Sequence, residues 1–470
     1  MTLTELLGRY PPPSGNAARS TTREELARTG TRIVVLDDDP TGTQTVHGVP
    51  VYTRWTPEDL DQALVGQHPV FYLSTNSRAL AAQDAAALAR EIGLELVRAA
   101  ERTGVPAHLI VPASRSDSTL RGHFPGEVTA LFEGLGRTPD GVLIVPAFFE
   151  GGRYTVGDTH YVEQNGQAVP AHETEFARDP DFGYGTSNLR DWVEEKTHGA
   201  VTAEEVLSIG LETIRSEGPA GVTAVLDAAS QGVPVVVNAC CYADLETVVA
   251  GLHEAERHGR TFAYRCAASF VKVRAGIEDR ALLTRAEMIE HEGPGLVVAG
   301  SYVEKTTRQL RTLLDGPRIA AVELSANRLL GQEAAAEVRR AVTAVENGFA
   351  AGRDVVCYTS RRRVATSDAS SLTGGRRIME GLCDVIESLG TAPSWIIAKG
   401  GITSIEVGRT ALGVSRAMVL GQIIGGVPVW RLDEKTRFPG IPYVVFPGNV
   451  GDDTSLLGAY RILTVGRHNE

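Results

Sequence analysis

The chain has 470 residues, with 46 Lys and Arg against 58 Asp and Glu, a formal net charge of -12, and 43% hydrophobic residues. At about 100–200 residues per domain, this predicts two or three domains with sizeable cores and excludes wholesale disorder. An acidic chain without a long basic run argues against a nucleic-acid or anionic-membrane binder, while leaving room for phosphate ligands held by backbone N–H groups and a few Arg. The five Cys are odd in number and lack Cys-x-x-Cys spacing, so neither a disulfide framework nor a zinc ribbon is expected. With no basic segment leading into an apolar stretch, and no run near about 18 apolar residues, a reducing cytoplasm is the expected compartment.

Residues 1–30 read as an extension, interrupted at Pro11-Pro12-Pro13 and restarted by a helix-capping pattern at Thr21–Leu26. A strand–helix rhythm begins at Ile33–Leu36 and continues with strands at Val70–Leu73, Ala107–Val111 and Val142–Val145, with a helix over 81–103. Residues 150–200 break it: they are polar and turn-rich, and Asn165-Gly166 is a hairpin signal. The rhythm resumes with a strand at Val233–Val237 and a helix from Ala243 to about His258. A helix-breaking run at Glu290–Pro294 marks a domain boundary, after which a second series starts at Leu296–Ala299. In the helix after Gly331, Val338, Val342, Val345 and Phe349 form one apolar stripe. Further strands are expected at Asp354–Tyr358, Trp395–Ala398, Ala417–Leu420, Val427–Arg431 and Tyr443–Phe446. Alternating strands and helices predict α/β domains, each a largely parallel sheet flanked by helices.

Three constellations carry chemistry. Asp37-Asp38-Asp39-Pro40-Thr41-Gly42 closes the first strand, at the edge where open α/β sheets bind ligands. Adjacent carboxylates repel, so the cluster calls for a cation, a proton or a donor-rich ligand; the plain alternative is a solvated Asp turn. Ser114–His123 follows the strand placed at Ala107–Val111. Its two Arg, four hydroxyls and one Asp between Ser114 and Arg121 suit a small polyhydroxylated anion, although Ser116, Asp117 or Ser118 is also an ordinary helix cap. In the second half, Gly300-Ser301, Lys399-Gly400-Gly401-Ile402-Thr403 and Gly448-Asn449-Val450-Gly451 are Gly-bearing turns between strand and helix, able to bring backbone N–H groups to a phosphate. None fits the Walker A or dinucleotide pattern. His253 and His258 are five apart and do not share a helix face as a zinc motif requires; Arg361-Arg362-Arg363 reads as a solvated turn. His160, Glu163, His172, Glu173 and Glu175 form a mixed set open to metal, substrate or a structural hairpin.

Together these segments resemble the four-carbon acid sugar kinase family over most of residues 31–465. Asp38-Asp39-Pro40-Thr41-Gly42 is similar to its Asp-Asp-x-Thr-Gly, Asp117-Ser118-Thr119-Leu120-Arg121-Gly122 to its Asp-Ser-Thr-Leu-Arg-Gly, and the three Gly turns to its nucleotide-binding turns. The resemblance implies an acid-sugar-binding domain over 31–290, containing the 150–200 excursion, and a nucleotide-binding domain over 291–470, with an inter-domain active-site cleft. It implies ATP with Mg²⁺ and phosphorylation of a terminal hydroxyl of threonate, erythronate or a 3-oxo-tetronate. The catalytic set is then Asp38, as proton acceptor, with Asp39 and Asp117 orienting substrate or metal. Thr41, Arg115, Ser118, Thr119 and Arg121 face the substrate, Arg121 clamping its carboxylate. Ser301, Gly400, Gly401, Ile402, Thr403, Gly448, Asn449 and Gly451 face the nucleotide, and Asp37 is structural. The expected partners are the acid sugar and ATP, without nucleic acid or membrane; a homodimer is compatible, and metal ligands are not assigned. The rivals are a metal-dependent lyase or hydrolase acting on a small sugar acid, and a nucleotide-responsive binding protein without turnover.

Overall fold

The computed structural model describes residues 2–13, 19–39, 41–300, 303–316, 319–361, 368–448 and 450–466, and only the backbone of 368–373. The chain forms two compact units, residues 1–46 with 55–279, and residues 47–54 with 280–470. In chain order the strands are β1 (Arg32–Asp37), β2 (Val49–Tyr52), β3 (Val70–Ser74), β4 (Ile110–Arg115), β5 (Gly141–Val145), β6 (Arg153–Val156), β7 (Thr159–Gln164), β8 (Gln167–Pro170) and β9 (Leu207–Ile209). They continue with β10 (Val233–Val237), β11 (Phe262–Cys266), β12 (Leu296–Ala299), β13 (Ala320–Leu324), β14 (Val355–Thr359), β15 (Ile396–Lys399), β16 (Arg416–Ile424), β17 (Val427–Leu432) and β18 (Pro442–Phe446).

The first unit carries seven parallel strands in the order β3-β1-β4-β11-β5-β10-β9. β1 lies between β3 and β4, so the chain passes to one side of it and then returns to the other. That reversal is a topological switch point, where the loops leaving the strands part and open a crevice. The β1 and β4 expectations therefore meet, because Asp37 is in register with Arg115. β4 does not end at Val111 as expected. Residues 107–109 form a short turn, and the strand runs Ile110–Arg115, carrying Ser114 and Arg115 inside the sheet. Ser and Arg have no strand preference of their own; pairing with β1 and β11 decides the matter.

The second unit has five parallel strands, β13-β14-β12-β15-β18, followed by antiparallel β17, β16 and β2. β2 comes from the first half of the chain: Val49–Tyr52 is buried throughout and pairs with Arg416–Val419. The division between units falls at Asp279 and Arg280, ahead of the helix-breaking run at 290–294. The 1–30 extension is also built into the first unit. Buried Arg19 donates to Glu246 at 2.8 Å and to Asp279 at 2.7 Å, and its guanidinium lies 4.6 Å from the Tyr242 ring centroid.

The 150–200 excursion begins as a three-stranded antiparallel sheet, β6-β7-β8. Asn165 and Gly166 both take positive φ, 52° and 75°, in the two-residue turn between β7 and β8. The helix Leu189–Lys196 then buries Trp192 and Val193 in one cluster with Leu120, Ile144, Tyr184 and Val236, joining the excursion to β5 and β10. No helix among the described residues is long and apolar enough to cross a membrane, and all five Cys are unpaired thiols. Trp192 stacks on Phe124 at 4.9 Å and is fully buried, so Trp192→Ala is expected to cost about 3–5 kcal/mol, read as a lowered urea midpoint.

Candidate functional site

The centre of the first site is Arg78, which no sequence pattern singled out. It follows β3, parallel to β1, and so emerges at the same edge as the Asp cluster. Its Nε and Nη2 donate to the two oxygens of Asp38, at 3.0 and 2.5 Å; Nη1 donates to Asp39 at 3.2 Å and lies 3.8 Å from Asp117. One guanidinium thus joins three carboxylates. The alternation that would send Asp38 and Asp39 to opposite faces does not extend this far, because β1 ends at Asp37 and the backbone bends.

Below this group lies Asp37, 1% exposed, accepting from Arg115 Nη1 at 3.2 Å. Burial pushes its carboxyl up to about 8, against the pull of Arg115. Arg115 is itself buried, and also 3.7 Å from Asp38. Its charge is therefore engaged beneath the site, not presented to a ligand as the sequence reading had it. Burial would raise Asp39 as well, but Arg78 and the Thr41 hydroxyl and N–H hold it below the ordinary carboxylate range. Asp117 follows the same logic more strongly: burial opposes its charge, and Arg78, Arg121 and Thr119 together keep it ionised. Glu127 is a further buried carboxyl that sequence reasoning missed. It accepts from the Ser77 hydroxyl at 2.5 Å, and burial, with Asp38 nearby, pushes it up to about 7.

The excursion fastens the Ser118–Arg121 loop from behind. His160 Nε2 donates to the Ser118 carbonyl at 2.7 Å, the Tyr184 hydroxyl to the Thr119 carbonyl at 2.8 Å, and Arg265 of β11 to the Arg121 carbonyl at 3.0 Å. A carbonyl only accepts, so His160 carries its proton on Nε2, and Nδ1 takes the Thr155 hydroxyl; burial lowers its pKa to about 3. His160 is thus a neutral structural donor. Glu163 accepts from Tyr154, and His172 pairs with Ser187. His160 and Glu163 lie on β7, while His172, Glu173 and Glu175 lie in the short helical turns after β8, and among the described residues no group of three or more His, Cys, Asp or Glu forms a metal cluster. Arg121 donates to Asp117 at 2.8 Å and Asp179 at 3.4 Å, over the Phe176 ring at 5.2 Å; Nη2 has no protein partner among the described residues. Ser118 and Thr119 are buried.

In the second unit, three neighbouring parallel strands deliver the Gly turns side by side: Ala299, Lys399 and Phe446 are in register across β12, β15 and β18. A Cβ on Gly300 would lie 2.9 Å from Thr403 Oγ1, and the Gly400 N–H donates to the Phe446 carbonyl at 2.8 Å, so the turns are packed together. Gly400 adopts φ 111°, a conformation only glycine takes comfortably. Gly401 and Gly448 have open space where a side chain would stand, and Ile402 is 69% exposed beside them. Thr403 is buried behind them, and a Cβ on Gly451 would strike Ser455 at 2.3 Å. Ser301 and Asn449 lie outside the described residues, as do Pro40, Arg362 and Arg363. Arg361 donates to Thr307 at 2.8 Å. His253 faces Glu256, and His258 faces Asp227.

The described residues thus place an acid-and-arginine cluster on one α/β unit and a three-turn glycine edge on another. Residues 33–274 match a sugar-binding N-terminal domain, and residues 296–456 a nucleotide-binding C-terminal domain. The chain belongs to the four-carbon acid sugar kinase family. It is similar to D-threonate kinases of Salmonella typhimurium, 27% identical over 75% of each chain, and of Bordetella bronchiseptica, 28% identical over 92% of this chain and 98% of that one. A D-erythronate kinase of Heliobacterium modesticaldum is 30% identical over 52% of this chain and 50% of its own. A solved Salmonella typhimurium structure described as a tRNA synthase shares the fold, with TM-score 0.66 and 18% identity over 92% of this chain and 99% of that one.

Gly42 packs directly on the Asp37 carboxylate: a Cβ there would lie 1.9 Å from Oδ1. Gly42→Ala is expected to displace that carboxyl and cost about 1–3 kcal/mol, measured as a drop in urea midpoint at constant m-value.

Proposed function

We propose that the protein is an ATP-dependent kinase that phosphorylates a terminal hydroxyl of a four-carbon acid sugar of the threonate, erythronate or 3-oxo-tetronate type. The observation that carries this reading is Arg78 among Asp38, Asp39 and Asp117 at the switch point of the first unit. It is supported by the aligned Gly turns of the second unit and by the relatives named as tetronate kinases. Fixed carboxylates accept from sugar hydroxyls, and the free Nη2 of Arg121 is the donor assigned to the substrate carboxylate.

In the proposed reaction the substrate's terminal hydroxyl oxygen bonds to the γ-phosphorus of ATP as the bond to the bridging oxygen breaks, releasing ADP. Asp38 takes the hydroxyl proton, while Asp39 and Asp117 hold the substrate in line. The chemistry asks the protein chiefly for positioning and charge stabilisation. Asp37, neutralised by burial, keeps Arg115 in place without adding charge to the crevice. In the second unit the N–H groups about Gly401 and Gly448 are assigned to the phosphates, and the exposed Ile402 to an apolar face of the nucleoside. The described carboxylates of the first site are already engaged by arginines and form no metal cage. Mg²⁺ fits here as the companion of the ATP phosphates, held mainly by phosphate and water oxygens, where it would offset the negative charge of the transferring group.

A panel of tetronates incubated with ATP tests the reading: one member should gain a phosphoryl group as ADP appears. Loss or hydrolysis of a sugar acid without nucleotide would instead favour the lyase or hydrolase alternative. On the best substrate, Asp38→Asn is expected to lower kcat by about 10²–10⁴-fold, and Asp37→Asn far less, both measured in folded protein. A larger loss from Asp37→Asn would place the acceptor one residue earlier.

A further inference from the structure

The second unit holds a buried cation that the chemistry above does not use. Lys399 ends β15, is 0% exposed, and has no carboxylate within salt-bridge distance among the described residues. Its ammonium donates to the Pro447 carbonyl at 2.6 Å and lies 3.5 Å from the Gly448 carbonyl, 4.2 Å from the centroid of the Phe446 ring. It therefore ties the end of β15 to the turn after β18. A peptide is planar and trans, so its C=O and N–H point in opposite directions. Drawing the Pro447 carbonyl inward to Lys399 turns the N–H of Gly448, in the same peptide, away from the ammonium.

Among the described residues, the neighbouring charges leave this ammonium uncompensated. Lys305, at the start of the helix Glu304–Leu314, adds repulsion. On that helix Arg308 pairs with Asp453 at 2.9 Å and Glu304 at 3.1 Å. After β18, Asp452 is occupied by Thr454 and Ser455, and Glu406 stands at the far end of the helix that follows Gly400. Burial, reinforced by Lys305, lowers the Lys399 pKa to about 7. A phosphate dianion arriving at this edge is the counter-charge the site lacks, and it favours the protonated lysine.

We propose that Lys399 is a positioning residue for the nucleotide: its ammonium aims the Pro447-Gly448 turn at the phosphates, and nucleotide binding draws a proton onto it. The inference rests on the reading that nucleotide binds at this edge. The sign follows from linkage: a ligand that prefers the protonated lysine raises its pKa on binding, so protons are taken up above the free pKa, and affinity falls as pH rises through that range.

The experiment is calorimetric titration of ADP into the full chain at about pH 8, where ADP itself is already deprotonated, in two buffers of different ionisation enthalpy. About one proton should be taken up per ADP, and the Kd should rise by up to about tenfold per pH unit from pH 7 to 9. Lys399→Arg, which stays charged throughout, should bind ADP without uptake. Lys399→Met should abolish uptake and weaken ADP binding at pH 7 by at least about tenfold, with acid-sugar affinity unchanged. ADP binding by the native chain without proton uptake, or equal uptake by the folded Arg variant, overturns the inference and leaves the nucleotide reading standing. No ADP binding at any pH overturns both. The native titration decides alone should a variant fail to fold.

Discussion

The first site depends on keeping several carboxylates together at the ends of two neighbouring strands, β1 and β4. Asp38, Asp39 and Asp117 repel one another, and water is largely excluded from Asp38. What makes the arrangement tenable is the fork of Arg78, which serves both oxygens of Asp38 and one of Asp39 while standing close to Asp117. A planar guanidinium does this and an ammonium does not. Breaking a buried network of this kind typically costs about 3–5 kcal/mol, because the remaining charges are left uncompensated. The supporting layer reduces the problem by protonation: burial raises Asp37 and Glu127 to about 8 and about 7, so neither adds a full charge near neutral pH.

The same device recurs in both units at the level of the backbone. In the first, Arg265, His160 and Tyr184 donate to the carbonyls of Arg121, Ser118 and Thr119 respectively, from inside the protein. In the second, Lys399 does so for Pro447. A buried donor that holds a carbonyl also fixes the direction of the following N–H, so loop conformation is set by groups a ligand need not touch. This gives the 150–200 excursion its purpose within the first unit. It supplies two of the three donors behind the Ser118–Arg121 loop, and Asp179 and Phe176 beside Arg121.

Much of this was legible in the amino-acid order. The Asp cluster and the Asp-Ser-Thr-Leu-Arg-Gly run stood out because carboxylates and arginines at strand ends are costly without a use. Parallel pairing of β1 with β4 then brings them together. The Gly turns were legible singly, and their alignment follows from the adjacency of β12, β15 and β18, which no local pattern encodes. Arg78 escaped notice because Ser74–Arg78 looks like an ordinary polar turn; its importance comes from β3 lying next to β1. β11 was missed because Arg265 interrupts its short apolar run, yet it is a central strand whose arginine supports the loop. β2 was missed because its partner, β16, lies far along the chain. Such long-range pairings override local propensity.

The account stands or falls on Arg78, and steady-state kinetics of Arg78→Lys with the preferred tetronate test it most directly. The substitution keeps the positive charge and removes the fork. The account predicts a fall in kcat/KM for the acid sugar of at least about 10²-fold with ADP affinity unchanged, in a chain that remains folded. A folded Arg78→Lys variant with kcat/KM within about threefold of the native protein would contradict it.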